Sequence, residues 1–412
     1  MVISILVSIF LGILLLNNMK YDVIVVGGGL IGLSTSYSLI NENPKIRLAI
    51  IEKEKEMCLH QSKRNSGVIH SGLYYNPGSE RAINCTVGRE MLIKYCKDNK
   101  VEHDVCGKIV VATNKNQLES LYKLKINGKK NGLSGLKILN KKNIKKVEPY
   151  VDGLEALFVP QSGIINYRSL ALSLLNKIER NKNVTVLTNC KVEKINYDCL
   201  ETNLGKLKYK YSVFCCGLHS DRLAKLDRIH TSTKIITFRG DFFTLNNNLK
   251  NKIRNLVYPV PDSKFPFLGI HFTRMIDGTV ECGPNAVFTF KREDYMKNEF
   301  NFNDSFDALS FKGTWKLFLK NWKFGLDEYK RAFSKKLFLK EINKLVPSIC
   351  ENDFEYCRSG VRAILLKKDG SIEDDFVYEK NNNNLHVLNA PSPAATACLS
   401  IGDKIKSKLF EC

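Results

Sequence analysis

Three glycines near the start of the chain have the spacing of a phosphate-binding turn. Gly27, Gly29 and Gly32 form G-x-G-x-x-G after an apolar run, and a second apolar run, residues 48–51, ends at Glu52. In this motif the first glycine permits a tight turn, the second lets the backbone approach a pyrophosphate, and the third lets the helix pack on the strand. The helix N-terminus offers unpaired N–H groups, and the acid can accept hydrogen bonds from a ribose. The pattern predicts a strand–helix–strand unit that binds a dinucleotide.

The order of the other elements places this unit in a larger α/β fold. Apolar strands are predicted at residues 213–216 and 385–388, and both could rejoin the first sheet. Strand-like segments within residues 235–283 predict a second sheet. Residues 389–397, N-A-P-S-P-A-A-T-A, suit a loop and helix start that point at a ligand. Such interleaving is typical of a two-domain flavoprotein.

Composition narrows the classes of function. The 412-residue chain is 44% hydrophobic and carries a net charge of +21. Its lysines are spread along the whole length, and we find no helix-turn-helix or single-strand-binding motif, so nucleic-acid binding is not predicted. The favoured explanation of the charge is a compositional bias toward lysine on a solvated surface. An anionic substrate or an anionic membrane surface suits the charge better than nucleic acid does. The 13 cysteines lack C-x-x-C spacing, which predicts reduced thiols and no metal site.

Two segments are candidates for contact with a membrane. Residues 2–16 are almost wholly apolar but shorter than a typical spanning helix, so residues 1–18 are set apart as a targeting or anchor segment. In residues 314–340, lysine and arginine alternate with tryptophan, phenylalanine and leucine. A helix of this kind can lie in a headgroup interface. The alternative is an ordinary amphipathic helix that covers the second sheet.

Longer motifs carry a specific family resemblance. Residues 60–75 are H-Q-S-K-R-N-S-G-V-I-H-S-G-L-Y-Y, residues 213–221 are V-F-C-C-G-L-H-S-D, residues 359–363 are S-G-V-R-A and residues 389–396 are N-A-P-S-P-A-A-T. Together with the glycine-rich turn, they resemble the FAD-dependent L-2-hydroxyglutarate dehydrogenases, within the wider D-amino-acid-oxidase and glycine-oxidase-like flavoproteins. The resemblance extends from about residue 21 to near the C-terminus and implies that FAD is the cofactor.

The expected fold class is α/β, with a Rossmann-like FAD-binding domain of the glutathione-reductase type and an interleaved α+β substrate domain. The FAD-binding domain is predicted at residues 20–110, 166–232 and 351–412. A mixed insertion at residues 111–165 and a β-sheet cap at residues 233–350 form the predicted substrate domain.

The resemblance implies oxidation of a 2-hydroxy acid, L-2-hydroxyglutarate, to 2-oxoglutarate, with FAD accepting the hydride of the α-carbon at N5. Arg362 is predicted to bind the α-carboxylate, because a guanidinium binds a carboxylate bidentately and stays charged. His70 and His271 are both candidates for the base that accepts the hydroxyl proton. Arg239 and Arg64 are candidates for the distal carboxylate.

The resemblance also implies a set of FAD contacts from the glycine-rich turn, the end of the second strand, the loop after it and the closing loop. Backbone N–H groups of residues 392–396 are expected at the pyrimidine edge of the flavin, where they would stabilise negative charge. Tyr75 and Tyr258 could donate hydrogen bonds in the site. The predicted FAD contacts are Gly27, Gly29, Leu30, Ile31, Gly32, Glu52, Lys53, His60, Asn65, Ser66, Gly67, Val192, Cys216, Gly217, Ser392, Pro393, Ala394, Ala395 and Thr396.

Other interpretations stay open at the level of sequence. One is a related flavin oxidase or dehydrogenase that acts on an amino acid, a secondary amine or glycerol 3-phosphate. Another is a non-catalytic flavoprotein subunit. The family suggests a mitochondrial location associated with the inner membrane, and the alternative is an anchor in another membrane through residues 1–18. The electron acceptor, a quinone or an electron-transfer flavoprotein, is left open.

Overall fold

Two large sheets dominate the computed structural model, which describes residues 19–261 and 269–411. The predicted targeting or anchor segment, residues 1–18, lies outside the described residues. The strands are β1 Lys20–Val26, β2 Leu48–Ile51, β3 Val68–Ile69, β4 His103–Asp104, β5 Lys108–Ala112, β6 Lys137–Asn140, β7 Glu155–Val159, β8 Gly163–Ile165, β9 Val184–Leu187, β10 Val192–Ile195, β11 Cys199–Thr202, β12 Gly205–Phe214, β13 Thr233–Leu245, β14 Leu256–Pro259, β15 His271–Arg274, β16 Val280–Gly283, β17 Val287–Phe288, β18 Phe354–Lys367, β19 Ile372–Glu373, β20 Val377–Asn381 and β21 Asn384–Asn389. The helices are α1 Leu30–Glu42, α2 Glu80–Asp98, α3 Leu118–Lys130, α4 Lys141–Val147, α5 Tyr167–Glu179, α6 Ser220–Leu226, α7 Phe302–Leu309, α8 Lys312–Phe333, α9 Lys335–Ile342 and α10 Cys398–Phe410.

The first sheet contains the predicted dinucleotide-binding unit. Its strand order is β10-β11-β12-β1-β2-β9, and β21 pairs with β12. The pairs β12–β1, β1–β2, β2–β9 and β12–β21 are all parallel. β12 and β21 contain most of the two segments that were predicted to rejoin this sheet, so that prediction is confirmed.

Apolar residues on both faces of β1 explain its central position. Val23 and Val25 belong to the core under α1, α5 and α10, whereas Ile24 and Val26 belong to the core on the other face. A parallel strand that is buried on both faces has a continuous apolar sequence. The run that preceded the glycine-rich turn therefore predicted the strand correctly.

The closing segment differs from its predicted form. The start of a helix was expected within residues 389–397, but α10 begins at Cys398. The preceding residues form turns, in which the N–H of Ala394 donates to the carbonyl of Pro391 and the N–H of Ala397 donates to that of Pro393. The N–H of Ala394 therefore already has a hydrogen-bond acceptor within the loop.

The second sheet has the order β19-β18-β13-β16-β15-β14-β5-β7-β6. β13 and β18 pair antiparallel along almost their full length, with Phe238 opposite Arg362. One face of the sheet packs on α9 through Phe243, Phe338 and Phe354. Strands of this sheet come from chain segments that alternate with those of the first sheet, so the predicted α/β class with interleaved parts is confirmed. The domain boundaries stay predictions.

The basic segment at residues 314–340 forms two helices instead of one. α8 has non-helical backbone angles at Asn321, and the Ser334 side chain accepts a hydrogen bond from the N–H of Leu337 at the start of α9. α8 buries Leu317, whereas Leu319, on the opposite side, is 73% exposed. The helix therefore covers the second sheet with one side only.

A buried ion network joins the two sheets. Arg292, in the segment after β17, is 4% exposed and pairs with Asp221 of α6 and with Asp307 of α7. A carboxylate oxygen of Asp221 also accepts the N–H of Ile235 on β13 at 3.1 Å. Each buried charge therefore has a partner of opposite sign, which the removal of either partner would leave uncompensated.

A backbone contact between α10 and α1 gives a test of the packing. A Cβ on Gly402 would lie 2.6 Å from the carbonyl carbon and oxygen of Ser34, so Gly402→Ala must shift one helix. We expect Gly402→Ala to lower the free energy of unfolding by about 1–3 kcal/mol, as overpacked cores do. The matched control is Gly325→Ala in α8, where nothing lies within 4 Å of the added Cβ. The control should gain about 0.5–1 kcal/mol from helix propensity. Equal stability of the two variants in denaturant titrations would contradict this account.

Candidate active site

A cavity of about 1330 Å³ lies between the two sheets. On one side it is lined by residues at the carboxyl ends of β1, β2, β12 and β21, and on the other by residues of β13, β14, β15 and β18. In open α/β sheets, ligands bind at the carboxyl ends of the strands. The volume exceeds the roughly 300–1,000 Å³ of pockets for drug-sized ligands. It has room for a dinucleotide together with a small substrate.

The glycine-rich turn forms a cradle that a side chain would fill. Gly27 has a φ of 108°, and a Cβ there would lie 2.3 Å from the carbonyl oxygen of Cys215. A Cβ on Gly32 would lie 1.9 Å from the carbonyl oxygen of Gly27. Gly29 is the N-cap of α1 and lacks a side chain to cap the helix. The N–H of Leu30 donates to the hydroxyl of Ser62 at 2.9 Å, and both residues line the cavity. The start of α1 therefore faces the cavity, and the residues present fit the pyrophosphate of a dinucleotide cofactor.

Glu52 stands at the end of β2, where the ribose of a dinucleotide is expected. One carboxylate oxygen accepts the N–H of Gly28 at 2.8 Å, and the other accepts the N–H of Glu54 at 3.0 Å. These bonds hold the carboxylate at the wall of the cavity. Both oxygens keep free lone pairs, because a carboxylate oxygen can accept more than one hydrogen bond.

Most predicted FAD contacts line the cavity, but three do not. Gly32 lies behind the turn, where it packs α1 on β1. Gly67 has a φ of 66° and shapes the loop after β2. Thr396 is fully buried, and its hydroxyl accepts the N–H of His70 at 3.0 Å. The predicted contacts that line the cavity are Gly27, Gly29, Leu30, Ile31, Glu52, Lys53, His60, Asn65, Ser66, Val192, Cys216, Gly217, Ser392, Pro393, Ala394 and Ala395.

A charged cluster connects the two sheets near Glu52. The Lys53 ammonium lies 2.5 Å from a carboxylate oxygen of Glu54 and 2.7 Å from one of Glu293. His60 contacts Glu54 at 2.9 Å, and His219 contacts Glu293 at 2.9 Å. Burial opposes ionisation of Glu293, but hydrogen bonds from His219 and Lys53 hold its pKa well below the ordinary value. Glu54, His60 and Glu293 are close enough to share a metal ion, but the ammonium of Lys53 already supplies the positive charge between the two acids.

Arg362 and His271 project from the second sheet into the cavity. His70, which directly follows β3, also lines the cavity. Burial lowers the pKa of Arg362, and the nearby carboxylate of Glu328 acts against this. The His271 ring stacks on Tyr258, with ring centroids 4.0 Å apart. The structure therefore brings Arg362, both candidate bases and Tyr258 to one cavity.

The two histidines differ in how their rings are held. Burial lowers the pKa of each to about 3, so both are neutral at physiological pH. Nδ1 of His271 lies 3.0 Å from the carbonyl oxygen of Gly269. A carbonyl can only accept, so Nδ1 carries the proton and Nε2 has a free lone pair. Nε2 of His70 lies 3.4 Å from the hydroxyl of Ser392, which can donate or accept, so this contact does not select a tautomer.

The other predicted substrate residues are placed differently. Arg239 is 3% exposed and pairs with Asp241 and Asp294, so the structure does not bring it to the cavity. Arg64 lines the cavity and lies over the ring of Tyr295, 4.0 Å from the centroid. The Tyr75 hydroxyl lies 3.3 Å from that of Ser392 in the closing loop.

Sequence reasoning missed three residues beside the site. Lys108 begins β5 and is 1% exposed, Tyr74 lines the cavity, and Glu328 of α8 is buried near Arg362. Two adjacent acids, Asp327 and Glu328, in the otherwise basic, aromatic segment were a usable signal for Glu328. The lysine at the start of K-I-V-V-A was a weaker signal, because a strand end is often exposed.

The fold and the cavity define the class of protein, and a comparison with protein families agrees. The model of the FAD-dependent oxidoreductase family matches residues 22–406. The chain therefore belongs to this family, and the predicted FAD dependence is confirmed.

Three relatives from different organisms share one enzyme name. The chain is 42% identical to L-2-hydroxyglutarate dehydrogenase from Indibacter alkaliphilus, over 94% of this chain and 98% of the relative. It is 38% identical to the enzyme of that name from Escherichia coli, over 94% and 93% of the two chains, and 37% identical to the human mitochondrial one, over 95% and 89%. These matches confirm the predicted resemblance to the L-2-hydroxyglutarate dehydrogenases.

Solved structures share the fold. L-α-glycerophosphate oxidase from Mycoplasma pneumoniae, with FAD bound, is similar with a TM-score of 0.77 and 23% identity, over 95% of each chain. Glycine oxidase from Geobacillus kaustophilus is similar with a TM-score of 0.72 and 16% identity, over 95% of this chain and 94% of the other.

The predicted location is wrong. A mitochondrial, inner-membrane-associated protein was expected, but the relatives that share the name include bacterial ones from Indibacter and E. coli, which have no mitochondria. Among the described residues, no helix has both the length and the apolar character that a membrane crossing requires. The alternative, an anchor through residues 1–18, has no support from these relatives, and that segment lies outside the described residues.

The position of Glu52 yields a test of cofactor binding. We expect Glu52→Ala to weaken FAD binding by about 1–3 kcal/mol, because hydrogen bonds to a charged acceptor are lost. The measurement is the dissociation constant for FAD of the deflavinated protein, followed by flavin fluorescence. Glu56→Ala is the control, because Glu56 is exposed and pairs with Arg168 outside the cavity. Equal FAD affinity of the two variants would show that Glu52 does not contact the ribose.

Proposed function

We propose that this protein oxidises L-2-hydroxyglutarate to 2-oxoglutarate with FAD as the cofactor. The observation that carries the proposal is the cavity that holds Arg362, His271 and the glycine-rich turn together, in a chain whose relatives named L-2-hydroxyglutarate dehydrogenase match over nearly the full length. A carboxylate-binding cation and a neutral base are what the oxidation of a 2-hydroxy acid needs beside a flavin.

In the proposed reaction, Arg362 binds the α-carboxylate. Its guanidinium projects from the middle of β18 into the cavity and can form two parallel hydrogen bonds to the carboxylate. Glu328 lies close enough to raise the pKa of Arg362. Glu328 is itself held by the N–H of Ala286, which donates to its carboxylate at 2.7 Å. Helix α8 and the segment between β16 and β17 therefore support the position of Arg362.

His271 is the proposed base. Its Nδ1–H donates to the carbonyl of Gly269, so the lone pair of Nε2 is free to accept the hydroxyl proton of the substrate. The neighbouring ring of Tyr258 excludes water from one face of the imidazole. His70, the other candidate, is proposed to orient the closing loop through the Ser392 contact. When bound, FAD supplies the acceptor for the hydride of the α-carbon.

The decisive experiment is an anaerobic titration of the FAD-loaded protein. L-2-hydroxyglutarate should bleach the flavin absorbance, while D-amino acids, secondary amines and glycerol 3-phosphate should not. Bleaching by one of the other substrates instead would identify a different flavin enzyme. A flavin that no substrate bleaches would indicate a non-catalytic subunit.

The role of Arg362 predicts a large effect of a conservative change. Arg362→Lys keeps the charge but loses the two-pronged geometry, so we expect kcat/KM for L-2-hydroxyglutarate to fall by about 2–5 kcal/mol in transition-state stabilisation. Arg180→Lys, an exposed site at the end of α5, is the control and should behave as the unchanged protein. Near-normal steady-state kinetics of Arg362→Lys would show that another cation binds the α-carboxylate. Arg64, which also lines the cavity, would then be the next candidate.

The role of His271 predicts both a rate and a pH profile. We expect His271→Ala to slow anaerobic flavin reduction by about 10²–10⁴-fold, and His70→Ala to slow it less. Because burial lowers the pKa of His271 to about 3, the base is already deprotonated well below neutral pH. The kcat/KM of the unchanged protein should therefore not decline as the pH falls from about 7 to 5. A larger loss in His70→Ala than in His271→Ala would reverse the assignment.

A further inference from the structure

Lys108 is a buried lysine beside the proposed active site. It is 1% exposed, and no acidic residue pairs with it in the part of the chain that the structure describes. Its ammonium lies over two tyrosine rings, 4.4 Å from the centroid of Tyr74 and 4.9 Å from that of Tyr258. Aromatic faces stabilise a cation far less than a carboxylate does. Burying an ammonium with only these partners is costly.

The sheet places Lys108 next to the proposed base. β5 pairs with β14, so Lys108 lies opposite Leu256, and Val110 lies opposite Tyr258. Side chains alternate between the faces of a strand, and Lys108, Val110 and Tyr258 therefore share one face. The ring of Tyr258 stacks on that of His271 at 4.0 Å. The ammonium is thus separated from the base by a single ring.

Tyr74 brings a second unsatisfied donor to the same place. Its side chain lines the cavity, and its hydroxyl is buried with no hydrogen-bond partner among the described residues. A buried hydroxyl without a partner is costly, as is the ammonium of Lys108 beside it. A carboxylate would accept hydrogen bonds from both groups and would neutralise the charge.

The two arginines that were candidates for the distal carboxylate are already engaged. Arg239 is held between two acids, outside the cavity. Arg64 lies over Tyr295 and donates to the carbonyl of Ser359 at 3.3 Å. Unlike Arg239, Lys108 has no acidic partner among the described residues, and its ammonium lies over two tyrosine rings.

We propose that Lys108 and Tyr74 bind the carboxylate of the substrate that is remote from the reacting carbon, an inference that rests on the proposed oxidation of L-2-hydroxyglutarate. Arg362 binds the α-carboxylate, Lys108 binds the distal one from behind the lining residues Tyr74 and Tyr258, and His271 accepts the hydroxyl proton. This arrangement selects 2-hydroxy dicarboxylates over 2-hydroxy monocarboxylates.

A comparison of two substrates tests the selection. L-2-hydroxyvalerate has the chain length of L-2-hydroxyglutarate but carries a methyl group in place of the distal carboxylate. In Lys108→Met, we expect the ratio of kcat/KM for hydroxyglutarate to that for hydroxyvalerate to fall by about 10²-fold, mainly through KM. Tyr74→Phe should lower it by about 3- to 10-fold. Lys137→Met, an exposed lysine of β6 in the same sheet, is the control and should leave the ratio unchanged.

A ratio that stays the same in Lys108→Met, or an equal loss for both substrates, would overturn the proposal. Loss of the ratio in Arg64→Met, but not in Lys108→Met, would assign the distal carboxylate to Arg64. Activity of the unchanged protein toward neither substrate would overturn the proposed function itself.

The pH dependence of the unchanged protein gives a second measurement, which holds even if Lys108→Met fails to fold. Burial lowers the pKa of Lys108 to about 7, so the free protein loses this cation as the pH rises through neutrality. Burial moves the pKa values of the groups around it out of this range: it lowers those of the two histidines to about 3, raises that of the thiol to about 12 and raises those of the two phenols well above their ordinary value. These groups are His70, His271, Cys85, Tyr74 and Tyr258.

We therefore expect kcat/KM for L-2-hydroxyglutarate to fall as the pH rises through about 7, with no such limb for L-2-hydroxyvalerate. The bound dicarboxylate stabilises the ammonium and so raises the pKa of Lys108 in the complex. The fall in kcat should therefore occur at higher pH than the fall in kcat/KM. Identical alkaline limbs for the two substrates would overturn the proposal.

Discussion

The site depends on positive charge that is buried in and beside the cavity. Arg362 lies near the carboxylate of Glu328, and the ammonium of Lys108 lies over the rings of Tyr74 and Tyr258. In a site of low dielectric, such charges favour an anionic ligand strongly. The same charges help to keep His271 unprotonated, because a second positive charge beside them is unfavourable. Affinity for a carboxylate and availability of a neutral base therefore have one physical origin.

Other buried cations in this protein are neutralised by the chain itself. Arg292 lies between Asp221 and Asp307, where it joins the two sheets. Arg239 has two aspartates of its own. These ion pairs hold the walls of the cavity in place, because the loss of one partner would leave an uncompensated charge. The contrast separates these cations from Lys108, which has no acidic partner among the described residues.

The scaffold alone does not select the substrate. The similar structures of L-α-glycerophosphate oxidase and glycine oxidase share the fold with this chain at 23% and 16% identity, and their names refer to different substrates. Specificity must therefore come from side chains that line the cavity. In this protein Tyr258, His271 and Arg362 of the second sheet are among them.

The sequence by itself determined the features that depend on local chain geometry. The glycine-rich turn, the acid at Glu52 and the buried parallel strands all follow from short-range patterns of small, acidic and apolar residues. The motif around Arg362 located a cation that the structure brings to the cavity. Tertiary structure alone decided which charges meet. Arg239 came to lie between two acids, and Lys108 reached the base because β5 pairs with β14, a contact between segments almost 150 residues apart. Strand pairing over such distances sets which face of a strand meets a cavity, and no local pattern contains that information.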